Sequence, residues 1–161
     1  MSEIIKFYQF KESSCRHTLS DIWDWSNDQL EIEHDFIQWI FPLNEASSYN
    51  PDAPVLSIED IKEFRNSPEL QFRVMVSVHT FMRFLYRTVN PWCTEKDHNH
   101  LRITRMLKSL RLLGLEMAAL NCWYELVMII YKMGMEETME APMSFWRSAL
   151  EPLLSIEESD K

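Results

Sequence analysis

Residues 117–133 read MAALNCWYELVMIIYKM, and this stretch decides the fold class. Its apolar residues occupy nearly the whole circumference of a helical wheel, whereas Asn121, Glu125 and Lys132 fall together on one narrow side. A helix that is apolar almost all round is normally buried among other helices. The sequence therefore predicts a central hydrophobic helix over these residues, which Gly134 ends.

The segment before it predicts an amphipathic helix over about Leu101–Leu113. Gly114 follows at the position where a helix commonly ends in the left-handed conformation. Arg105 and Lys108 lie opposite the apolar side, and Arg102 lies on its border. The apolar side consists of Ile103, Met106, Leu107, Leu110 and Leu113.

Methionines and two polar residues in the helical segments each permit two interpretations. Met106, Met117, Met128 and Met133 occur at core spacing, which favours packing over an adaptable hydrophobic groove. His79 fits a hydrogen-bonded core residue better than a ligand. Glu125 fits either a structural ion pair or solvent-facing strip, or a polar group in an aromatic pocket.

Several polar residues mark the starts of helices. Ser67-Pro68-Glu69 combines an N-cap, a first-turn proline and an acid, and it opens a helix that reaches about Tyr86. Ser57 to Asp60 resembles a capping box. Ser26-Asn27-Asp28 offers N-caps for one helix that ends near Pro42. The expected apolar stripe of that helix is Leu30, Phe36, Ile37 and Ile40.

The two ends of the chain are less clearly patterned. Residues 1–20 fit an extended arm or a short helix, and the tail 157–161 is expected to fray. A last helix is expected from about Ser144, with Pro152 kinking or ending it. Its expected apolar side is Phe145, Trp146, Leu150 and Leu153. Residues 21–156 are thus expected to form one all-α domain, a single irregular bundle of five to seven helices around a central hydrophobic helix.

Composition and charge narrow the classes of function. The chain of 161 residues has only two glycines, which excludes glycine-rich phosphate loops, and its net charge of −9 disfavours nucleic-acid binding. Residues 1–70 carry a balance of −9, residues 71–135 of +5, and residues 136–161 of −5. This distribution fits internal charge complementarity, an anion site in the basic middle, or an acidic surface for a basic partner.

Three widely spaced cysteines favour reduced thiols and a cytoplasmic location, and no apolar run is long enough for a membrane span. Cys93, His98 and His100 form a C-x4-H-x-H pattern without a fourth ligand, so no metal or cofactor is predicted. No nucleophile, base and orienting group occur at motif spacing, so an enzyme is disfavoured.

Two dense stretches suggest a binding site. On a helix, His34, Gln38 and Phe41 would be neighbours and present a polar and aromatic edge. In the second stretch, polar and basic side chains crowd a helix N-terminus, where an anion is favoured. We expect the two stretches to meet and form one site. Trp39 and Trp92 would supply its apolar walls, and Arg102 and Arg105 its cationic groups. The hydrogen-bonding groups would be His34, Gln38, Asn99 and His100. The competing interpretation is that both stretches form only a packing contact that fixes the fold.

The same stretches carry a family resemblance. His34–Leu43, HDFIQWIFPL, and Asn99–Leu110, NHLRITRMLKSL, resemble two signatures of the opioid growth factor receptor N-terminal domain. The chain is similar to the single-domain microbial members of that family. The resemblance implies a helical binding module, since a vertebrate member binds a short enkephalin peptide, and it implies no catalytic residue.

The sequence therefore predicts a module that binds a protein, a peptide or a small anionic ligand, and neither nucleic acid nor membrane. Two alternatives stay open. One is a small hydrolase or transferase that uses His34 or His100 as a general base. The other is an inhibitor or adaptor that binds a basic partner through its acidic surface.

Overall fold

The structure, a computed structural model, describes the backbone of residues 1–159 and the side chains of residues 1–151. Within those residues it contains ten helices and no strand: α1 Glu3–Tyr8, α2 Leu19–Trp23, α3 Asn27–Ile32, α4 Ile37–Ile40, α5 Ile58–Asn66, α6 Pro68–Arg87, α7 Val89–Trp92, α8 Asn99–Leu112, α9 Glu116–Lys132 and α10 Glu140–Ser159. The predicted all-α bundle is confirmed. Five helices have nine residues or more, and five short ones of four to six residues raise the total above the expected five to seven.

The predicted helix starts are present. Ser67 Oγ accepts a hydrogen bond from the backbone N–H of Leu70 at 3.2 Å, and Pro68 is the first residue of α6. Ser26 and Ser57 each form a reciprocal capping box at the start of α3 and α5. Each cap satisfies backbone N–H groups that would have no partner inside the helix.

The single helix predicted between Ser26 and Pro42 is wrong, because α3 ends at Ile32 and α4 begins at Ile37. Glu33 adopts an extended conformation, with ψ of 135°. The break is held by Arg102, whose guanidinium donates to the carbonyl oxygens of Leu30 at 2.7 Å and Glu33 at 2.6 Å. These carbonyls belong to the end of α3, where no intrahelical partner exists.

The prediction that the apolar helix at 117–133 is central is also wrong. In α9 only one side is buried, formed by Ala119, Cys122, Leu126 and Ile130. The opposite side is exposed, and three of the four methionines expected in the core are exposed as well, Met117, Met128 and Met133. An apolar pattern predicts burial only on average, since much of a protein surface is apolar.

The core is organised instead by α6 and α8. Helix α6 contacts α1, α2, α3, α5 and α7, while α8 contacts α9 and α10. The whole predicted apolar side of α8 is buried, comprising Ile103, Met106, Leu107, Leu110 and Leu113. Gly114 adopts the predicted left-handed conformation, with φ of 82°, and Gly134, predicted only to end its helix, adopts it as well, with φ of 66°.

The N-terminal segment is part of this core. Ile4, Ile5, Phe7 and Tyr8 of α1 are buried, so of the two forms considered for residues 1–20 the short helix is present. The Tyr8 hydroxyl donates to the Ile40 carbonyl at 2.6 Å and lies 3.0 Å from Ser77 Oγ. Helix α1 thereby fixes the position of α4 against α6.

The last helix begins earlier than expected, at Glu140, and continues through Pro152 instead of ending there. Trp146 and Leu150 are buried as predicted, whereas Phe145 is exposed. The side chain of Leu153 lies outside the described residues, and the frayed tail at 157–161 stays a prediction. No helix in the described part of the chain has the length and apolarity needed to cross a lipid bilayer.

Candidate functional site

A pocket of about 420 Å³ lies between α4, the loop after it and the outer side of α8. We call it the α8 pocket. It is lined by His34, Ile37, Gln38, Leu43, Glu45, Ala46, Ser47, Ser48, Tyr49, His98, Leu101, Arg102, Thr104, Arg105 and Lys108. The two stretches singled out in the sequence therefore do face each other across a cavity.

Four of the eight predicted site residues line this pocket: His34, Gln38, Arg102 and Arg105. His34 precedes α4, so the predicted helical row of His34, Gln38 and Phe41 does not form, and Phe41 is buried. The ring of His34 instead lies edge-on to the ring of His98, with centroids 5.7 Å apart.

The other four predicted site residues lie in the packing contacts behind the pocket. Trp39 is buried against Phe7, and Trp92 donates from Nε1 to the Leu85 carbonyl at 2.7 Å. Asn99 is buried and donates to Glu31 Oε2 at 3.1 Å. These side chains, with His100, are positioned to fix helices and do not line the pocket.

His100 is also placed where it cannot serve as a general base through Nε2. That nitrogen lies 2.7 Å from the Trp92 carbonyl oxygen, which only accepts hydrogen bonds, so Nε2 carries the proton. The ring packs against Trp146, with centroids 6.1 Å apart. Catalysis through His100 would therefore have to use Nδ1, the ring nitrogen that this hydrogen bond leaves unprotonated.

Arg102 lines the α8 pocket and also takes part in the packing contacts behind it, but its nitrogen atoms bind groups of the protein itself. Besides the two α3 carbonyls, it donates to Asn99 Oδ1 at 3.2 Å, and its guanidinium lies 5.3 Å from the Phe36 ring centroid. Burial lowers the pKa of Arg102, and the charges of Glu31 and Asp97 oppose that shift. Three carbonyl acceptors leave this guanidinium little capacity for a ligand.

Arg105 is different, because only its Nε is engaged. Nε donates to the Phe41 carbonyl at 2.8 Å, and the two terminal nitrogens have no acceptor among the described residues. Burial lowers the pKa of Arg105 to about 10, and the carboxylate of Glu45 opposes this shift. Arg105 is thus a partly desolvated cation at neutral pH, with two nitrogens free to donate into the pocket.

Other donors lie near it. Gln38 is buried, its Oε1 accepts from Asn50 Nδ2 at 3.4 Å, and its amide nitrogen has no acceptor among the described residues. Lys108 Nζ is 3.9 Å from Glu45 Oε1, and both side chains are largely exposed. Ile37, Leu43 and Leu101 supply apolar surface. The pocket can therefore hold an anionic group joined to an apolar one.

Sequence reasoning missed eleven of the residues that line the pocket: Ile37, Leu43, Glu45, Ala46, Ser47, Ser48, Tyr49, His98, Leu101, Thr104 and Lys108. One available signal was helical spacing, since Leu101, Arg105 and Lys108 follow His98 at intervals of three or four residues and so share a face of α8. The loop gave no such signal, because its place over α8 depends on contacts between distant segments.

Among the side chains that the structure describes, two groups could hold a metal ion, with donor atoms within 4.8 Å of one another: His17, Glu33 and Asp35, and Glu31, Asp97 and His98. In the first group, Arg16 already binds both carboxylates, at 2.9 Å and 3.2 Å. In the second, His98 Nε2 lies 3.1 Å from Glu31 Oε1. Cys93 and His100 belong to neither group, so the C-x4-H-x-H pattern does not converge.

The sequence belongs to a recognised class of domain. Residues 5–90 match the opioid growth factor receptor (OGFr) conserved region, and the chain belongs to that family. The match begins inside α1 and ends before α8, so it includes one wall of the α8 pocket and leaves out the other.

Three relatives illustrate the similarity. The human opioid growth factor receptor is 33% identical over 111 residues, which cover 58% of this chain and 16% of the human protein. The rat opioid growth factor receptor-like protein 1 is 35% identical over 111 residues, 58% of this chain and 23% of the rat protein.

The opioid growth factor receptor-like protein 1 of Xenopus tropicalis is 34% identical over 110 residues, 58% of this chain and 21% of that protein. The chain thus spans between 16% and 23% of the length of these three relatives. No solved structure matches the chain.

Proposed function

We propose that this domain is a ligand-binding module that holds the anionic group of a peptide or small molecule in the α8 pocket. The relatives named above are receptors or receptor-like proteins by name, which agrees with a binding role. The observation that carries the proposal is Arg105, a partly buried cation whose two terminal nitrogens have no acceptor among the described residues.

The energetic argument concerns the cost of an unpaired charge. A cation withdrawn from water is unfavourable unless hydrogen bonds compensate it. A carboxylate placed in the pocket would accept from both terminal nitrogens of Arg105 in the bidentate geometry that guanidinium groups favour. The amide nitrogen of Gln38 and the ammonium group of Lys108 would add donors at the same place.

The size of the pocket agrees with a modest ligand. A volume of about 420 Å³ is within the range of small-molecule sites. A peptide terminus fits this requirement, since its carboxylate would meet Arg105 while its last side chain would contact Ile37, Leu43 and Leu101. The rest of the peptide would lie outside, along the exposed loop residue Tyr49.

Calorimetric titration tests this proposal with four probes. They are a short enkephalin peptide with a free carboxyl terminus, the same peptide amidated at that terminus, sodium acetate and sodium phosphate. We expect the free acid to bind at least tenfold more tightly than the amide, because charge-assisted hydrogen bonds contribute about 1.5–3 kcal/mol. Equal binding of acid and amide, or no binding by any of the anionic probes, overturns the proposal.

Variants then locate the site. Arg105→Gln and Gln38→Leu should each weaken binding of the free acid, while Lys62→Gln, at an exposed lysine outside the pocket, should leave it unchanged. Thermal melting of every variant separates loss of binding from loss of folding. Unchanged affinity in folded Arg105→Gln protein would show that the ligand binds elsewhere.

A further inference from the structure

Helices α6 and α9 share a large exposed apolar face that the α8 pocket does not use. Seven large side chains on it are between 36% and 69% exposed: Phe72, Met75, Tyr86, Met117, Tyr124, Met128 and Tyr131. A groove runs between the two helices, lined on one side by Met75, His79 and Tyr86 and on the other by Ala118 and Asn121. We call this surface the α6–α9 face.

The two helices run in the same direction along the groove. Gln71 Nε2, near the start of α6, donates to the carbonyl of Leu113, just before α9, at 3.1 Å. Further along both helices, the Tyr86 hydroxyl donates to Glu125 Oε2 at 2.8 Å. One of these hydrogen bonds joins α6 to the residue before α9, and the other joins the two helices themselves.

The spacing of the exposed residues is typical of helices that pack against a partner. On α9, Met117, Asn121, Tyr124, Met128 and Tyr131 are separated by steps of 4, 3, 4 and 3 residues. On α6, Phe72, Met75, His79, Arg83 and Tyr86 are separated by steps of 3, 4, 4 and 3, so this stripe includes one cationic residue. Residues in this alternation form a continuous stripe along a helix, as in coiled coils.

The exposed area is as large as a stable interface requires. If a large side chain has about 200 Å² of surface, the seven residues together leave about 800 Å² exposed. The largest apolar patch of a typical monomer is about 300–600 Å². A standard protein interface buries about 800 Å² on each partner.

We propose that the α6–α9 face is the interface of a two-fold symmetric dimer of this chain. In it, α6 packs antiparallel against α6 of the second copy about an axis close to His79, the midpoint of the α6 stripe. This register places Phe72 opposite Tyr86 of the other copy. Helix α9 of each copy flanks the α6 pair and extends the contact.

The charges on α6 match the same register. Arg87 is exposed and has no partner among the described residues, and Glu69, at the other end of the helix, is paired with Arg73 through one carboxylate oxygen but keeps its side chain 70% exposed. Glu69 and Arg87 are 18 residues apart, five full turns of an α-helix, so they lie on the same side of α6. Antiparallel pairing near His79 brings Glu69 of each copy beside Arg87 of the other, so the pair occurs twice.

Light scattering coupled to size-exclusion chromatography, and sedimentation equilibrium, test the dimer on the full chain. We expect a mass of twice 19.3 kDa in the micromolar range. Phe72→Glu combined with Met75→Glu should raise the dissociation constant at least a hundredfold, because both residues are exposed in the monomer and buried in the dimer. Phe145→Glu, an equally exposed residue on α10, is the control and should leave the dimer unchanged.

A charge exchange tests the register. Arg87→Glu alone should weaken the dimer at least tenfold, and Glu69→Arg with Arg87→Glu should restore it. A wild-type chain that is monomeric at about 200 μM, a concentration at which interfaces of this size are normally occupied, overturns the proposal. A dimer that resists the Phe72 and Met75 substitutions overturns it too, and failure of the exchange to restore binding overturns the antiparallel register.

Discussion

Replacing Arg102 with alanine should destabilise the domain far more than its position in a pocket wall suggests. Its guanidinium donates to the carbonyl oxygens of Leu30 and Glu33 and to Asn99 Oδ1, at 2.7, 2.6 and 3.2 Å. Removing the side chain leaves three acceptors without a donor. Two of them end α3, where water must then enter or the chain must move.

The magnitude follows from those bonds. A hydrogen bond from a charged group contributes about 1.5–3 kcal/mol, and a neutral one about 1 kcal/mol. Because the three bonds share one side chain and the site can relax, we expect a total loss of about 3–5 kcal/mol. For a chain of this length, that loss corresponds to a fall in melting temperature of roughly 10–15 °C.

Urea denaturation followed by circular dichroism measures this change, and Lys62→Ala is the control. Lys62 is exposed on α5 and has no partner among the described residues, so its loss should change the free energy of unfolding by less than about 0.5 kcal/mol. A loss below about 1 kcal/mol for Arg102→Ala would refute this account of the α3 end. Intact stability together with lost ligand binding would assign Arg102 to the binding site instead.

Three further predictions concern the core. Tyr8→Phe leaves the buried Ile40 carbonyl without its donor and should lower the free energy of unfolding by about 1–3 kcal/mol in urea titrations. Gly114→Ala should lower the free energy of unfolding by about 1–2 kcal/mol, because Gly114 has a positive φ that alanine adopts only with strain. Gly134→Ala should lower it less, since both glycines have positive φ but only at Gly114 would the new Cβ lie 3.0 Å from Arg65 Cγ. Burial raises the pKa of Cys122 to about 12, so the folded protein keeps this thiol proton while the unfolded chain loses it near pH 9. The free energy of unfolding should therefore fall as the pH rises from 9 towards 12. Urea titrations at about pH 7.5 and 10.5 measure this fall, and the part of it that Cys122 contributes should be absent in Cys122→Ala.

Local sequence signals predicted much of the fold because their causes are local. Ser67 and Pro68 open α6, and Gly114 follows α8, since a cap or a left-handed residue acts within one helical turn. The division of α3 from α4 could not be predicted in this way. It depends on Arg102, which is 72 residues from Leu30 along the chain.

The candidate site could be predicted only in part for a similar reason. The sequence indicated that two polar and aromatic stretches would meet, and His34, Gln38 and Arg105 do line one pocket. It could not separate these from Trp92 and Asn99, which have the same residue chemistry but are buried in helix contacts. Only the packing decides whether a polar side chain meets solvent or a backbone group.

The long reach of Arg102 has a consequence for synthesis on the ribosome. The carbonyl oxygens of Leu30 and Glu33 accept hydrogen bonds from Arg102, which is translated 72 and 69 residues after them. At roughly 5–20 residues per second, that interval lasts about 4–14 s. Throughout this interval, the nascent N-terminal half can collapse but cannot complete the break between α3 and α4. A pause or stop before codon 102 therefore leaves an incompletely folded product for chaperones and proteases.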